Sequence, residues 1–243
     1  MTALDAVVWS TRGAASLAGG AVPSTGVVWS TGAVAWSTGG VVQGVVAAVL
    51  AFLLGSVNPA TILARVLGKD LAGSGSGNPG ATNAGRVLGL RWGVVVGVAD
   101  VLKGYLPVVL ASAFLGSLVA LVVGLAVVLG HIWSPFLKGH GGKGVATSLG
   151  AILAVQPWFG LVMLVLFVLL VWRFRWVAGA SVSACLLLLV LGLLAVAGWL
   201  PGWVPDVSRQ TGVWCAVLAL VVIYRHRRNI ELWLLARRES STG

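Results

Sequence analysis

Two glycine-rich segments concentrate the residues able to do chemistry. The first reads Gly73-Ser74-Gly75-Ser76-Gly77-Asn78-Pro79-Gly80-Ala81-Thr82-Asn83 and continues to Gly85-Arg86. Successive glycines, Gly75 and Gly77 among them, let backbone N–H groups turn toward one point. Such a nest binds anions, phosphate above all. Ser76, Asn78, Thr82 and Asn83 add side-chain donors, and Arg86 adds a fork able to grip a phosphate through two bonds. A flexible linker would explain the Gly/Ser content but not Asn, Thr and Arg at its end.

The second segment is Lys138-Gly139-His140-Gly141-Gly142-Lys143-Gly144, running into an apolar stretch. Glycines and a lysine before a helix N-terminus make another anion site, with His140 and Lys143 in reach of the ligand. It is not a Walker A loop. Gly142-Lys143 is followed by Gly144 rather than Ser or Thr, and Leu137 stands where the first glycine belongs.

Further ionisable residues lie outside these loops. Asp100 and Lys103 are three apart on one helical face. They form either a structural ion pair or part of a substrate site. The run Tyr224-Arg225-His226-Arg227-Arg228-Asn229 places His226 and Asn229 on one face of a helix. His226 can serve as acid, base or hydrogen-bond donor. A basic flank that stops membrane insertion would explain the arginines alone. His131, between Gly130 and Trp133, reads as a structural interfacial residue. Ser181 by itself reads as a helix-packing serine.

These residues must be positioned by membrane helices. The chain has 243 residues, 58% apolar and only 9% charged, against about a quarter charged in soluble domains. Its +10 charge therefore belongs at bilayer edges rather than on nucleic acid. Cys185 and Cys215 lie in apolar runs without CxxC spacing, and three histidines make a metal site an unpromising reading. Residues 1–40 form a Gly/Ala/Ser/Thr-rich extension in which a Trp-Ser-Thr unit recurs. Residues 41–235 form the membrane domain, and 236–243 a short tail.

The apolar stretches 41–64, 92–115, 117–134, 144–156, 158–172, 177–200 and 212–224 are the expected spans. Pro157 divides what would be an overlong helix. With seven spans, the basic residues of segments 65–91, 135–143, 173–176 and the tail fall on one face. The positive-inside rule makes that face cytoplasmic, with the N-terminus out and the C-terminus in. The expected fold class is all-α and polytopic.

At these residues the chain resembles the bacterial acyl-phosphate:glycerol-3-phosphate acyltransferases, the PlsY-type integral membrane enzymes. The resemblance covers roughly 45–235. It rests on Leu54-Gly55-Ser56, the block 75–83, Asp100-Val101-Leu102-Lys103-Gly104, Gly130-His131, Gly141-Gly142-Lys143-Gly144-Val145-Ala146-Thr147 and Tyr224–Ile230. It departs at His140, where the family usually has lysine, and at Asn58-Pro59-Ala60, where Pro-Phe-Gly is common.

The resemblance implies transfer of a fatty acyl group from acyl-phosphate to glycerol 3-phosphate at the cytoplasmic face of a bacterial membrane. The product is lysophosphatidic acid, for phospholipid synthesis. It implies Ser76, His226 and Asn229 as catalytic residues. It also implies Arg86, Lys143 and, near the start of the sixth span, Ser181 as binding residues, and residue chemistry adds Gly75, Gly77, Asn78, Thr82, Asn83, His140 and Lys103 as candidates to bind substrate or phosphate. No metal, cofactor or nucleic acid is implied. The partners are the two substrates, membrane lipids and the soluble enzyme that makes acyl-phosphate.

Acyl-phosphate is already activated, so positioning and charge stabilisation would dominate. Either His226 or the departing phosphate would take the hydroxyl proton. The His-x4-Asp pattern of other acyltransferases is absent, since Glu231 is the wrong acid and lies about 140° round a helix from His226. An anion transporter is the competing reading. It would need a polar path across the bilayer, and Asp100 and Lys103 are the only charged pair inside the spans.

Overall fold

The computed structural model describes residues 38–204 and 207–241, with side chains to residue 239. The extension expected over 1–40 lies outside these, apart from residues 38–40. The described chain is helical: α1 Thr38–Ser56, α2 Pro59–Val66, α3 Ala81–Val87, α4 Leu90–Leu115, α5 Ser117–Ile132, α6 Val145–Val155, α7 Pro157–Phe174, α8 Val177–Ala197, α9 Arg209–Arg225 and α10 Arg227–Ser241.

Five segments are long and apolar enough to cross a membrane: Thr38–Val66, Leu90–Leu115, Ser117–Leu137, Pro157–Phe174 and Val177–Ala197. Two shorter helices, α6 and α9, stand where the other two spans were expected. The 11 residues of α6 rise only about 16 Å, half of a hydrocarbon core. Burial is inverted relative to a soluble protein. Val42, Val46, Val49 and Leu50 are exposed on α1, while Asp100, His131, Thr147 and His226 are buried.

Helix limits refine the expected bounds. The span expected over 41–64 is present as Thr38–Val66, built of two helices. The helix stops at Ser56 and restarts at Pro59, because Asn58 caps the second helix by accepting from Thr61 N (2.8 Å) and proline occupies its first turn. The boundary at 235/236 also falls inside α10, which runs through it.

Helices meet through glycine. A Cβ at Gly55 would run into Val127 O, and one at Gly130 into Phe52 O, so α1 and α5 cross antiparallel in backbone contact. Gly104 on Thr147 O and Gly150 on Val101 O do the same for α4 and α6. Lipid offers no hydrophobic drive between helices, so close backbone approach supplies the packing. Trp214 Nε1 donates to Leu121 O (2.7 Å), pinning α9 to α5. This frame holds the loops after α2 and α5 against the start of α10.

Candidate active site

The first glycine-rich loop is shaped by Asn83. Its Oδ1 accepts from Ser76 N (2.8 Å), and its Nδ2 donates to Leu71 O and Ser74 O (3.1 Å each). Gly75 and Gly77 adopt left-handed φ of 61° and 67°, a region glycine enters without steric cost. Asp70 Oδ1 accepts from the amides of Ala72 and Gly73 (3.0 Å each). Asn58 Nδ2 donates to Pro79 O (2.8 Å) and ties the loop to the first helix break.

Part of the expected nest is used internally. The amides of Ser76, Gly77 and Gly80 are bonded to Asn83 Oδ1, Ser74 O and Asn78 O, and Asn83 is a staple rather than a free donor. The side chains of Ser76, Asn78 and Thr82 and the start of α3 line the cavity.

The second loop folds back on the end of α5. Gly141 N donates to Ile132 O and Gly142 N to His131 O, both at 3.1 Å. A Cβ at Gly142 would enter the His131 ring. One Arg225 guanidinium nitrogen reaches Gly141 O at 3.3 Å. Lys143 thus comes to stand just before the first turn of α6, half-buried. Burial holds its ammonium below the usual lysine pKa, and the like charges of Arg86 and Arg225 add to that.

These elements enclose a cavity of about 440 Å³. Of the residues singled out in the sequence, Ser76, Asn78, Thr82, Asn83, Arg86, Lys143, Ser181, His226 and Asn229 line it. Four others do not. Gly75 and Gly77 shape the loop behind it, and His140 is exposed. Lys103 is occupied elsewhere: its Nζ lies 2.8 Å from Asp100 Oδ1 and donates to Val57 O at 2.9 Å. The ion pair is formed, because a buried ammonium needs a partner, and Asp100 also lies on the cavity wall. Ser181 lines the wall, but its hydroxyl donates to Val177 O (2.9 Å), so it offers a ligand only lone pairs.

His226 is 1% exposed. Its Nδ1 lies 2.8 Å from Val222 O. A carbonyl only accepts, so Nδ1 carries the proton and Nε2 is left as an acceptor. Burial pushes the imidazole below its usual pKa, and nearby Lys143 and Arg225 push the same way against the Val222 bond, so it is neutral at pH 7. Asn229 follows in the first turn of α10.

Other lining residues were not singled out as ligands. His131 is buried rather than interfacial, with Nδ1 3.4 Å from Asp100 Oδ1. Ser148 is buried with its hydroxyl unpartnered by protein. Arg175 entered the sequence reading only as a topology marker. No signal in the sequence separates Ser148 from any other serine near a helix start. The far part of the cavity is apolar, with Ile152, Met163, Phe167, Leu188 and Leu218 on its walls. Among the described residues, no group of three or more His, Cys, Asp or Glu could hold a metal.

A family model described as glycerol-3-phosphate acyltransferase matches residues 45–235. The chain belongs to this family. A glycerol-3-phosphate acyltransferase of Thermoanaerobacter pseudethanolicus is 38% identical over 200 residues, covering 82% of this chain and 96% of the relative. That of Aquifex aeolicus is 38% identical over 192 residues, covering 78% and 94%. Among solved structures, PlsY, an integral membrane glycerol 3-phosphate acyltransferase, is similar in its glycerol 3-phosphate form. The TM-score is 0.72 with 36% identity, covering 80% of this chain and 94% of that one. Its lysophosphatidic acid form gives a TM-score of 0.70. This is a multi-pass membrane protein of the acyltransferase family, and the resemblance drawn from the sequence motifs holds.

Proposed function

We propose that this protein transfers a fatty acyl group from acyl-phosphate to glycerol 3-phosphate and releases lysophosphatidic acid and inorganic phosphate. The carrying observation is the two-natured cavity. One end presents Arg86, Lys143, His226 and Asn229; the other is walled by Met163, Phe167, Leu188 and Leu218. Such a site suits one small phosphorylated alcohol and one fatty chain with an activated anionic head.

In the proposed step, a glycerol hydroxyl attacks the acyl carbonyl. The new ester C–O bond forms, the anhydride C–O bond breaks, and phosphate leaves with the bonding pair. Arg86 and Lys143 hold phosphate oxygens by charge-assisted bonds. Ser76 and Asn229 orient the hydroxyl or the carbonyl. His226 Nε2 accepts the hydroxyl proton, consistent with the tautomer that Val222 O imposes. A second route has a specific basis. The same burial and cationic neighbours that lower the imidazole pKa weaken it as a base, which favours the departing phosphate as proton acceptor with His226 holding the hydroxyl.

We further propose seven crossings with the cavity facing the cytoplasm, in contact with the soluble enzyme that supplies acyl-phosphate. Arg86, Lys143, Arg175 and His226 come from four separate basic segments and line one cavity. That supports putting all four segments at one membrane face, where the positive-inside rule expects them. The test is an acyl-transfer assay on purified protein in detergent, offering acyl-phosphate or acyl-CoA with glycerol 3-phosphate. Lysophosphatidic acid from acyl-phosphate alone is the expected result. Product only from acyl-CoA overturns the donor assignment, and none from either, in folded protein, brings the transporter reading forward. His226→Ala separates the proton routes: a 10²-fold or greater loss in kcat supports the base, and a change confined to KM supports the binder.

A further inference from the structure

We propose that Arg175 is an additional substrate-binding residue of this cavity and holds the phosphate of the acyl donor. The proposal rests on the acyl-phosphate reading above. Charge matching is the first reason. Each of two phosphorylated substrates brings a charge of about −1.5 to −2 at neutral pH, while Arg86 and Lys143 supply two positive charges. His226 is neutral, and the nearby carboxylate of Asp100 is met by Lys103 at 2.8 Å. Arg175 is the remaining cation on the cavity wall. It has no carboxylate partner among the described residues.

Its backbone is the second reason. Arg175 closes α7 in the left-handed region, with φ 53° and ψ 23°, its N–H donating to Val171 O at 2.8 Å. Glycine is the usual residue at such a helix end, and this chain uses glycine freely, with 34 in all. A side chain kept in a sparsely populated conformation beside a site points to a role for that side chain.

The surroundings fix the turn that carries Arg175, whose side chain is itself exposed at the cavity rim. Trp176 packs over Gly179, where a Cβ would enter its ring, and stacks on Trp233 of α10 with ring centroids 5.7 Å apart. The Arg175 turn is thereby tied to the helix that carries Asn229 and follows His226. It also joins α7 and α8, whose Met163, Phe167 and Leu188 wall the apolar arm. An acyl chain lying between these two helices ends at the turn that connects them, with its phosphate beside Arg175. Arg173, two residues earlier, instead lies over the Phe174 ring at 5.1 Å and does not line the cavity.

The experiment compares Arg175→Gln, Arg175→Gly and Arg173→Gln in the full chain in detergent, varying acyl-phosphate and glycerol 3-phosphate independently. Arg175→Gln should raise KM for acyl-phosphate tenfold or more and leave KM for glycerol 3-phosphate within twofold. Arg173→Gln removes the same charge from the same turn and should leave both within twofold. Arg175→Gly should match Arg175→Gln in KM while melting no lower than the parent, because glycine relieves the left-handed backbone; this separates lost binding from lost folding. Equal behaviour of Arg175→Gln and Arg173→Gln overturns the proposal, as does a KM rise confined to glycerol 3-phosphate. A parent chain that turns over no acyl-phosphate overturns the underlying reading instead.

Discussion

Both glycine-rich loops use left-handed glycines, but only the second also lays glycines on a neighbouring helix. In the loop after α2, glycine supplies dihedral angles: Gly75 and Gly77 turn left-handed so that Asn83 can reach Ser76, Ser74 and Leu71. In the loop after α5, Gly139 and Gly144 are likewise left-handed, at 80° and 88°, while Gly141 and Gly142 supply room against the last turn of α5 and the His131 ring. The first loop is held by a side chain, the second by backbone contact with a helix. Both leave a cation at the exit, Arg86 in one and Lys143 in the other. A glycine-rich, basic stretch is thus not by itself a backbone nest. The amides can be committed internally while charged side chains meet the ligand.

If that division is right, the largest effects come from the cations. Arg86→Ala and Lys143→Ala should each lower kcat/KM by about a hundredfold or more, the loss expected from the charge-assisted bonds to phosphate proposed for each. Steady-state assays against both substrates would read this. Near-parental values for both would return the binding role to the backbone amides.

Next comes Gly142→Ala. Its Cβ meets the His131 ring, and overpacking of this kind costs about 1–3 kcal/mol. Displacement of Lys143 should accompany it, visible as a lowered melting temperature and reduced turnover together. The corresponding change at Gly139 meets nothing within 4 Å but is strained by its φ of 80°, so it should lower the melting temperature while leaving turnover near the parent. Equal losses of turnover at both positions would mean that backbone conformation, not room, explains the second loop.

Asn83→Ala probes the first loop. It leaves Ser76 N and two carbonyls without their partner, a loss of about 1–3 kcal/mol by the cost of unsatisfied buried groups. Protease sensitivity of the loop around residue 76 should rise, while the second loop is unaffected. Cleavage unchanged from the parent would remove Asn83 from its role as staple.

The smallest expected effect is on pH. His226 has a folded pKa below its unfolded value near 6.5, so below 6.5 the unfolded chain binds more protons than the native one. Stability should fall as pH drops through 6.5, by at most about 1.4 kcal/mol per pH unit from this group. His226→Gln should flatten that part of a melting-temperature profile. An equally steep profile in the variant would assign the titration to another group.

Much of this is legible in the amino-acid sequence. Low charge and long apolar runs fixed a helical membrane protein, because only helices and closed barrels satisfy backbone groups in lipid. Pro157 did begin a new helix, since proline suits a first turn, whereas Pro107 sits inside α4. The motif residues Ser76, Arg86, Lys143, His226 and Asn229 did converge on one cavity. Tertiary structure alone decided the rest. It assigned Lys103 to Asp100 and Val57, turned Asn83 from ligand to staple, and aimed the Ser181 hydroxyl at its own helix. Sequence spacing states which groups can share a face. Which of several possible partners a buried polar group takes depends on distances set by helix packing, and those no single segment contains.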